Sequence, residues 1–136
     1  MDFNNNNKKI LIYIYKYFFI LLNEMIKNKI QNKILHKKVK FCKTIFSQMR
    51  GFMFSKPNKA LVFIFKKEKI ANLHMFFILH PIDVLWLDKN KKVVKIKENF
   101  KPFRIILADK PAKYIIELPD GIIAKTKTDV GDTISF

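Results

Sequence analysis

The sequence has little cysteine, glycine and arginine. One Cys in 136 residues excludes a disulfide scaffold and a cysteine-rich zinc module, and with 3 Gly no glycine-rich phosphate loop is present. Among 27 basic residues only Arg50 and Arg104 are arginine. Because arginine supplies the planar group that grips phosphates and base edges, the formal net charge of +16 carries little weight for nucleic-acid binding.

The residues that are abundant indicate a globular chain. Hydrophobic residues make up 49% of it and charged residues 28%, which excludes a disordered polyelectrolyte, and 136 residues correspond to one ordinary domain. The basic surface suits nucleic acid or an anionic membrane as a partner. The alternative is a solvated lysine surface that keeps an aromatic-rich domain dissolved.

Residues 1–24 differ in composition from residues 25–136, which we expect to form the domain. An apolar run over residues 10–22 is interrupted only by Lys16. As a helix it reaches about 20 Å, short of the roughly 30 Å hydrocarbon core, and no small-x-small cleavage site follows. We therefore expect neither a membrane span nor a secretion signal. Three interpretations stay open: a peripheral membrane anchor, a helix that packs on the domain, or an upstream extension of a protein that starts at Met25.

Short apolar runs separated by turn residues dominate the rest of the chain. The runs are 61–65, 73–79, 84–87, 93–96, 103–107, 114–118 and 133–136, preceded by alternating patterns at 26–34 and 38–41. Turn chemistry marks Asp88–Lys91 and Pro119–Gly121, while Thr44 and Gly51 bound a short helix. The sequence predicts a mainly β (α+β) fold, a small antiparallel barrel or sandwich with one short helix and an N-terminal helical extension.

Four motifs give the sequence a specific resemblance. They are Arg50-Gly51-Phe52-Met53-Phe54; His74-Met75 leading into Pro81-Ile82-Asp83-Val84-Leu85; Ala112-Lys113-Tyr114-Ile115-Ile116-Glu117-Leu118-Pro119-Asp120-Gly121; and Gly131-Asp132 before Ile134 and Phe136. Their order and spacing resemble the domain of unknown function 192 family (uncharacterised protein family 0127) over residues 26–136. That resemblance implies a small β-rich domain whose biochemical role is not established. His74-Met75-Phe76-Phe77 is similar to the archaeal branch, which implies a cytoplasmic location.

Arg50 is the first candidate for a binding residue. In a chain that uses Lys at nearly every basic position, an Arg at a helix end indicates a bidentate grip on a carboxylate. Asp83 and Glu117 are its natural partners, and such an ion pair would fix the helix on the sheet. In the functional interpretation, Arg50 with His74 or Lys101 holds an anionic ligand at the mouth of the β structure.

The candidates for catalysis are less convincing. On a regular strand His74 and His80 are about 20 Å apart, too far to share a metal ion with Asp83. Cys42 is expected to be an unpaired thiol on a half-exposed strand. We therefore predict no catalytic residue, no metal and no cofactor.

A second surface candidate combines aromatic and basic residues in a predicted loop. Phe100 and Phe103 are flanked by Lys97, Lys101 and Arg104, which is the pattern of base stacking beside phosphate contacts. Packing of both rings in the core or at its rim is the simpler explanation. The sequence thus predicts a non-catalytic binding or accessory module for an anionic ligand or partner. RNA binding and peripheral membrane association are the alternatives.

Overall fold

Ten strands and two helices build the described part of the chain, which comprises residues 3–23, 25–44, 47–48, 53, 56 and 58–136 of a computed structural model. Helix α1 is Phe3–Asn23 and helix α2 is Ile122–Thr126. The strands are β1 Ile26–Asn28, β2 Lys33–His36, β3 Val39–Cys42, β4 Ala60–Lys69, β5 Leu73–His74, β6 Ile82–Leu87, β7 Val93–Phe100, β8 Ile105–Ile106, β9 Ala112–Pro119 and β10 Ile134–Ser135. The predicted mainly β fold with an N-terminal helix is confirmed.

A five-stranded sheet in the order β3-β4-β9-β6-β7 forms the centre of the fold. A three-stranded sheet, β10-β1-β2, and a two-stranded sheet, β5-β8, accompany it. Over the described residues these sheets do not close into a barrel. Strands β3 and β4 run parallel, whereas the sequence predicted antiparallel pairing throughout. The connection between them, residues 43–59, is long enough for the crossover that parallel strands require.

The central sheet carries an apolar core on each face. Along β9, Ile115 contributes to one core, while Ile116 and Leu118 contribute to the other. The first core contains Leu61, Phe63, Phe65, Ile82, Val84 and Trp86, and the second contains Val62, Leu85, Leu87, Ile123 and Ile134. Because successive side chains of a strand point to opposite faces, neighbouring residues of β6 and β9 belong to different compartments.

The prediction of a continuous strand over residues 26–34 is wrong for the middle of this segment. The side chain of Asn28 turns the chain there, because its Oδ1 accepts hydrogen bonds from the backbone N–H groups of Ile30 and Gln31, both at 3.0 Å. Ile26 is buried, but Ile30 and Ile34 are exposed. The regular isoleucine spacing therefore does not mark one buried face.

Asn28 also joins the first strand to the C-terminal segment through a buried polar cluster. Its Nδ2 donates to Thr128 Oγ1 at 3.1 Å and to Asp132 Oδ2 at 2.8 Å. Asp132 Oδ2 further accepts from the backbone N–H of Asp129 at 3.0 Å. Burial opposes ionisation of Asp132, but the hydrogen bonds from Asn28, Asp129 and Gln31 outweigh it and lower the pKa of this carboxyl.

The predicted strand over residues 73–79 is much shorter in the structure. Only Leu73–His74 pairs as β5, and the chain then turns at Phe76 and Phe77, where Phe77 adopts a φ of 60°. A left-handed backbone breaks the alternation on which the prediction depended.

Helix positions follow the sequence only in part. Thr44 caps a turn as predicted, since its Oγ1 accepts from the backbone N–H of Ser47 at 3.1 Å. Ser47 and Gln48 are helical as predicted, and the Gln48 N–H donates to Thr44 O at 3.0 Å; residues 45, 46 and 49–51, including Gly51, lie outside the described residues. Helix α2 was not predicted. It follows Gly121, whose φ of 86° suits glycine, and it receives its cap from a distant strand.

Helix α1 exposes every side chain over residues 6–16. Five apolar or aromatic residues of this stretch, Ile10, Ile12, Tyr13, Ile14 and Tyr15, are each more than half exposed. Among the described residues, no helix combines the length and the apolar character that a bilayer span requires.

Candidate functional site

A cavity of about 500 Å³ lies beside the first core of the central sheet. Its walls come from β4, β5, β9 and the loop between β4 and β5. Most lining residues are apolar: Met53, Phe63, Phe65, Ile70, Ala71, Leu73, Ile78 and Ile115. The polar ones are Gln48, Lys69, Asn72, His74 and Glu117. A concave apolar space with a few polar groups has the character of a small-molecule site.

Glu117 is the buried polar group of this cavity. Strand β9 pairs it with Leu61 of β4 and Val84 of β6, which places its side chain on the face of the first core. Its side chain is 5% exposed, and its Oε2 has no hydrogen-bond partner among the described residues. Burial raises the pKa of this carboxyl to about 8. At neutral pH the group is therefore mostly a carboxylic acid that can donate a hydrogen bond.

Three further polar side chains of the cavity present donors. Lys69 Nζ lies 4.3 Å from the ring centroid of Phe65, a cation–π contact. Asn72 Oδ1 accepts from the backbone N–H of Ala108 at 2.8 Å, which leaves its amide NH2 to donate. His74 Nδ1 accepts from the backbone N–H of Phe76 at 3.3 Å, so the neutral ring carries its proton on Nε2.

Two of the four ligand-binding residues predicted from the sequence meet at this cavity. Glu117 and the exposed His74 both line it. Asp83 faces the other side of the sheet, because β6 pairs Asp83 with Leu118 and Val84 with Glu117. Arg50 lies outside the described residues, so its predicted ion pair and its predicted role as an anion ligand stay predictions.

The side chain of Asp83 accepts hydrogen bonds from two backbone N–H groups. Its Oδ2 accepts from the N–H of Ile123 at 2.8 Å and caps helix α2, and its Oδ1 accepts from the N–H of Asn99 at 3.0 Å. Asn99 has a φ of 46°, and the pairing of β6 with β7 shifts register beside it. The carboxylate therefore holds a helix terminus and a strand irregularity together.

Cys42 is buried, whereas the sequence analysis expected a half-exposed thiol. It is 1% exposed and pairs with Phe63 across β3 and β4. Burial is the main cause that raises the pKa of its thiol, and Glu117 adds to the rise. A protonated, enclosed thiol is a poor nucleophile.

Comparison with known proteins assigns the chain to a family. The family model that matches is DUF192, described as an uncharacterized ACR, and it matches residues 26–136. The chain belongs to the DUF192 family. It is 44% identical to a UPF0127 protein of Thermococcus kodakarensis over 115 residues, covering 82% of this chain and 73% of that protein. It is 39% identical to a UPF0127 protein of Pyrococcus horikoshii over 114 residues, covering 82% and 98%. The resemblance seen in the motifs is confirmed.

Solved structures share the fold of this DUF192 chain. A protein of unknown function from Novosphingobium aromaticivorans has a TM-score of 0.71 and 18% identity, covering 82% of each chain. A candidate transcription regulator from Sinorhizobium meliloti 1021 has a TM-score of 0.71 and 20% identity, covering 82% of this chain and 89% of that one. At such identities the likeness shows the fold alone.

Of the five residues predicted to bind nucleic acid, four are exposed and one is buried in this DUF192 chain. Lys97, Lys101, Phe103 and Arg104 are exposed. Phe100 is 2% exposed and belongs to the first core, so its ring is not available to stack on a base. The predicted pair of stacking rings is thus reduced to Phe103.

Sequence reasoning did not assign five polar or aromatic lining residues to the site: Gln48, Phe63, Phe65, Lys69 and Asn72. Alternation along β4 groups Phe63 with Phe65, but an irregularity in the pairing of β4 with β9 between Ile64 and Lys69 interrupts this pattern before Lys69. Asn72 lies in a loop, and no local pattern marks it.

Proposed function

We propose that this DUF192 chain is a non-catalytic binding module for a small amphipathic molecule with an apolar body and an anionic or oxygen-rich head group. The observation that carries the proposal is the buried carboxyl of Glu117, a residue that lines an apolar cavity and whose Oε2 lacks a partner within the described residues. A buried polar atom without a partner costs free energy, and a ligand atom that bonds to it recovers that cost.

The apolar walls favour a ligand with a hydrocarbon or ring body. The cavity volume of about 500 Å³ lies within the usual range for small-molecule sites. Eight of the thirteen lining residues are apolar, so burial of apolar ligand surface supplies most of the binding free energy.

The polar groups favour acceptor atoms on the ligand. Lys69, Asn72 and His74 each offer a donor, and Lys69 also carries positive charge. Glu117 adds a donor as long as it is protonated. A carboxylate or a similar oxygen-bearing head group satisfies these donors together, which supports the anionic ligand predicted from the sequence.

A thermal-shift series tests the proposal. Straight-chain carboxylates of increasing length are added to the full chain, with alcohols of equal length as the uncharged comparison. We expect a saturable rise in Tm that grows with chain length until the cavity is full and is larger for the acids. The absence of a saturable shift at every length would contradict the proposal.

A cavity-filling variant locates the binding. Ala71→Leu places a larger side chain in the wall of the cavity, and Ala124→Leu makes the same change at an exposed position of α2. We expect Ala71→Leu to abolish the ligand-induced shift and Ala124→Leu to keep it. Circular dichroism and the Tm without ligand verify that both variants fold. Equal shifts in the two variants would place binding elsewhere.

The cytoplasmic location remains a prediction from the archaeal-type motif. Fractionation of cells that express the full chain tests it.

A further inference from the structure

A surface of exposed apolar side chains lies on the two-stranded sheet and the turns beside it. We call it the β5–β8 patch. Its members and their exposed fractions are Phe76 42%, Phe77 53%, Leu79 75%, Phe103 66%, Ile105 59% and Leu107 71%. Single exposed apolar residues are ordinary, but a group of six from two adjoining segments indicates an interaction surface.

Backbone hydrogen bonds hold the two segments of the patch together. Strands β5 and β8 pair His74 with Ile105. The backbone N–H of Met75 donates to Arg104 O at 2.8 Å, and the backbone N–H of Phe103 donates to Met75 O at 3.0 Å. The Met75 side chain is 1% exposed and anchors the unit to the first core. The patch is thus a fixed part of the fold.

Two aromatic residues of the patch have a left-handed backbone. Phe77 has a φ of 60° and Phe103 a φ of 59°. Bulky side chains rarely adopt this conformation because it costs free energy. The Phe103 ring is 66% exposed, so burial in the core offsets little of this cost, whereas burial against a partner would offset more of it.

Basic side chains border the patch. Lys97, Lys101 and Arg104 line a groove of about 310 Å³ together with Ile105 of the patch itself. The neighbouring acidic residues Glu98 and Asp109 line a different cavity. Apolar and cationic groups therefore adjoin each other on this surface, which complements a partner that is apolar inside and anionic outside.

We infer that the β5–β8 patch docks the chain on an anionic phospholipid surface. The apolar side chains enter the boundary between head groups and acyl chains, and the three cations contact lipid phosphates. This docking does not depend on the ligand cavity and uses residues other than those of helix α1.

The composition of the patch favours lipid over RNA. Its most exposed members, Leu79 and Leu107, are aliphatic and gain little from stacking on bases. Of the two phenylalanines predicted for stacking, Phe100 is buried in the core. An acyl-chain boundary accommodates aliphatic and aromatic side chains alike.

Vesicle sedimentation of the full chain tests whether Lys97, Lys101 and Arg104, the basic border of the patch, contribute to binding. The probe is phosphatidylcholine vesicles that contain about one part in three phosphatidylglycerol, with pure phosphatidylcholine for comparison. The border variant combines Lys97→Ala, Lys101→Ala and Arg104→Ala. The matched control removes the same charge from exposed lysines elsewhere and combines Lys33→Ala, Lys37→Ala and Lys38→Ala. We expect the border variant to bind the anionic vesicles more than about tenfold more weakly and the control to change less than about threefold.

A second pair of variants tests the apolar contribution without a change in charge. The patch variant combines Ile105→Ser and Leu107→Ser. Its control combines Ile30→Ser and Val130→Ser, which are also more than half exposed. Because all these side chains are exposed, the Tm should stay close to the wild-type value in each variant. We expect only the patch variant to lose vesicle binding, by about tenfold or more.

Each other outcome overturns the inference. If the border variant and its control lose vesicle binding equally, the total charge of the protein attracts it to the vesicles. If vesicle binding is unchanged in all variants, the chain attaches through α1 or another surface. A single-stranded RNA of about 20 nucleotides is measured in parallel at several salt concentrations. If the border variant loses RNA binding but keeps vesicle binding, the patch is a nucleic-acid surface.

Discussion

The indole N–H of Trp86 donates a hydrogen bond to the carbonyl oxygen of Ala71 at 3.1 Å, inside the protein. Trp86 lies on β6 and is fully buried, whereas Ala71 belongs to the loop that forms one wall of the cavity. This bond connects the central sheet with the cavity wall. The single tryptophan of the chain is therefore also a fluorescent reporter of that wall.

Trp86→Phe tests this connection. The change removes buried volume and leaves Ala71 O without its donor, so we expect a loss of about 2–3 kcal/mol in the free energy of unfolding. Urea denaturation followed by circular dichroism measures it. The loop should also open more often, which trypsin cleavage after the exposed Lys69 reports. An unchanged urea midpoint would contradict the role of this bond.

Glu117→Gln tests the protonation of the buried carboxyl. The unfolded carboxyl loses its proton near pH 4.5 and the folded one near pH 8. Between these values the folded state holds more protons, so a rise in pH favours unfolding. We expect wild-type stability to fall from about pH 5 to about pH 8, and the variant to be more stable by roughly 2–4 kcal/mol at the upper end.

Urea denaturation at a series of pH values measures both profiles. Glu98→Gln changes an exposed carboxylate on β7 and should keep the wild-type profile. Parallel profiles for wild type and Glu117→Gln would show that Glu117 is ionised in the folded chain.

Asp83→Ala tests the link between β6, β7 and α2. The variant loses two acceptors for backbone N–H groups, and we expect about 3 kcal/mol of destabilisation. Asp83→Asn keeps one acceptor and should cost less. Because Asp83 faces away from the cavity, Asp83→Asn should leave the carboxylate-induced Tm shift unchanged. A lost shift in a folded Asp83→Asn chain would contradict this placement.

Asn28→Ala tests the buried polar cluster. Asn28 donates to Thr128 and Asp132, and its loss should destabilise the chain by about 2 kcal/mol. The lowered pKa of Asp132 gives stability that is present above its unfolded pKa and disappears as the pH falls through the folded pKa. Wild-type Tm should therefore fall at acid pH, and less steeply in Asn28→Ala. Asn90→Ala, at an exposed turn, is the control and should follow wild type.

Thiol labelling tests the enclosure of Cys42. At pH 8 an aromatic disulfide reagent should react with the folded chain at least about 100-fold more slowly than with the urea-unfolded chain. An added exposed cysteine, Asn90→Cys, should label fast and verify the reagent. Fast labelling of the wild-type chain would show that β3 opens readily.

Local chemistry made much of the fold predictable. The turns at Asp88–Lys91 and Pro119–Gly121 depend on neighbouring residues, and so do the apolar runs of β4, β6 and β9. Each of these predictions matches a described turn or strand. The parallel pairing of β3 with β4 could not be predicted, because it depends on a crossover rather than on either strand.

The candidate site was predictable only as a set of residue types. His74, Asp83 and Glu117 were singled out from their motifs, but which of them meet depends on the register of β6 with β9. A shift of one residue would exchange the faces of Asp83 and Val84. The cavity wall at Ala71 and Asn72 depends on Trp86 and Ala108, which are distant along the chain.

The pairing of β1 with β10 sets a condition on when this protein can fold. Lys27 and Asn28 need Ser135 and Ile134 as their neighbours in the sheet. Strand β10 follows every other described strand along the chain, so the three-stranded sheet cannot be completed before β10 has been synthesised. Until then β2 can cover one edge of β1, while the other edge stays open to other partners.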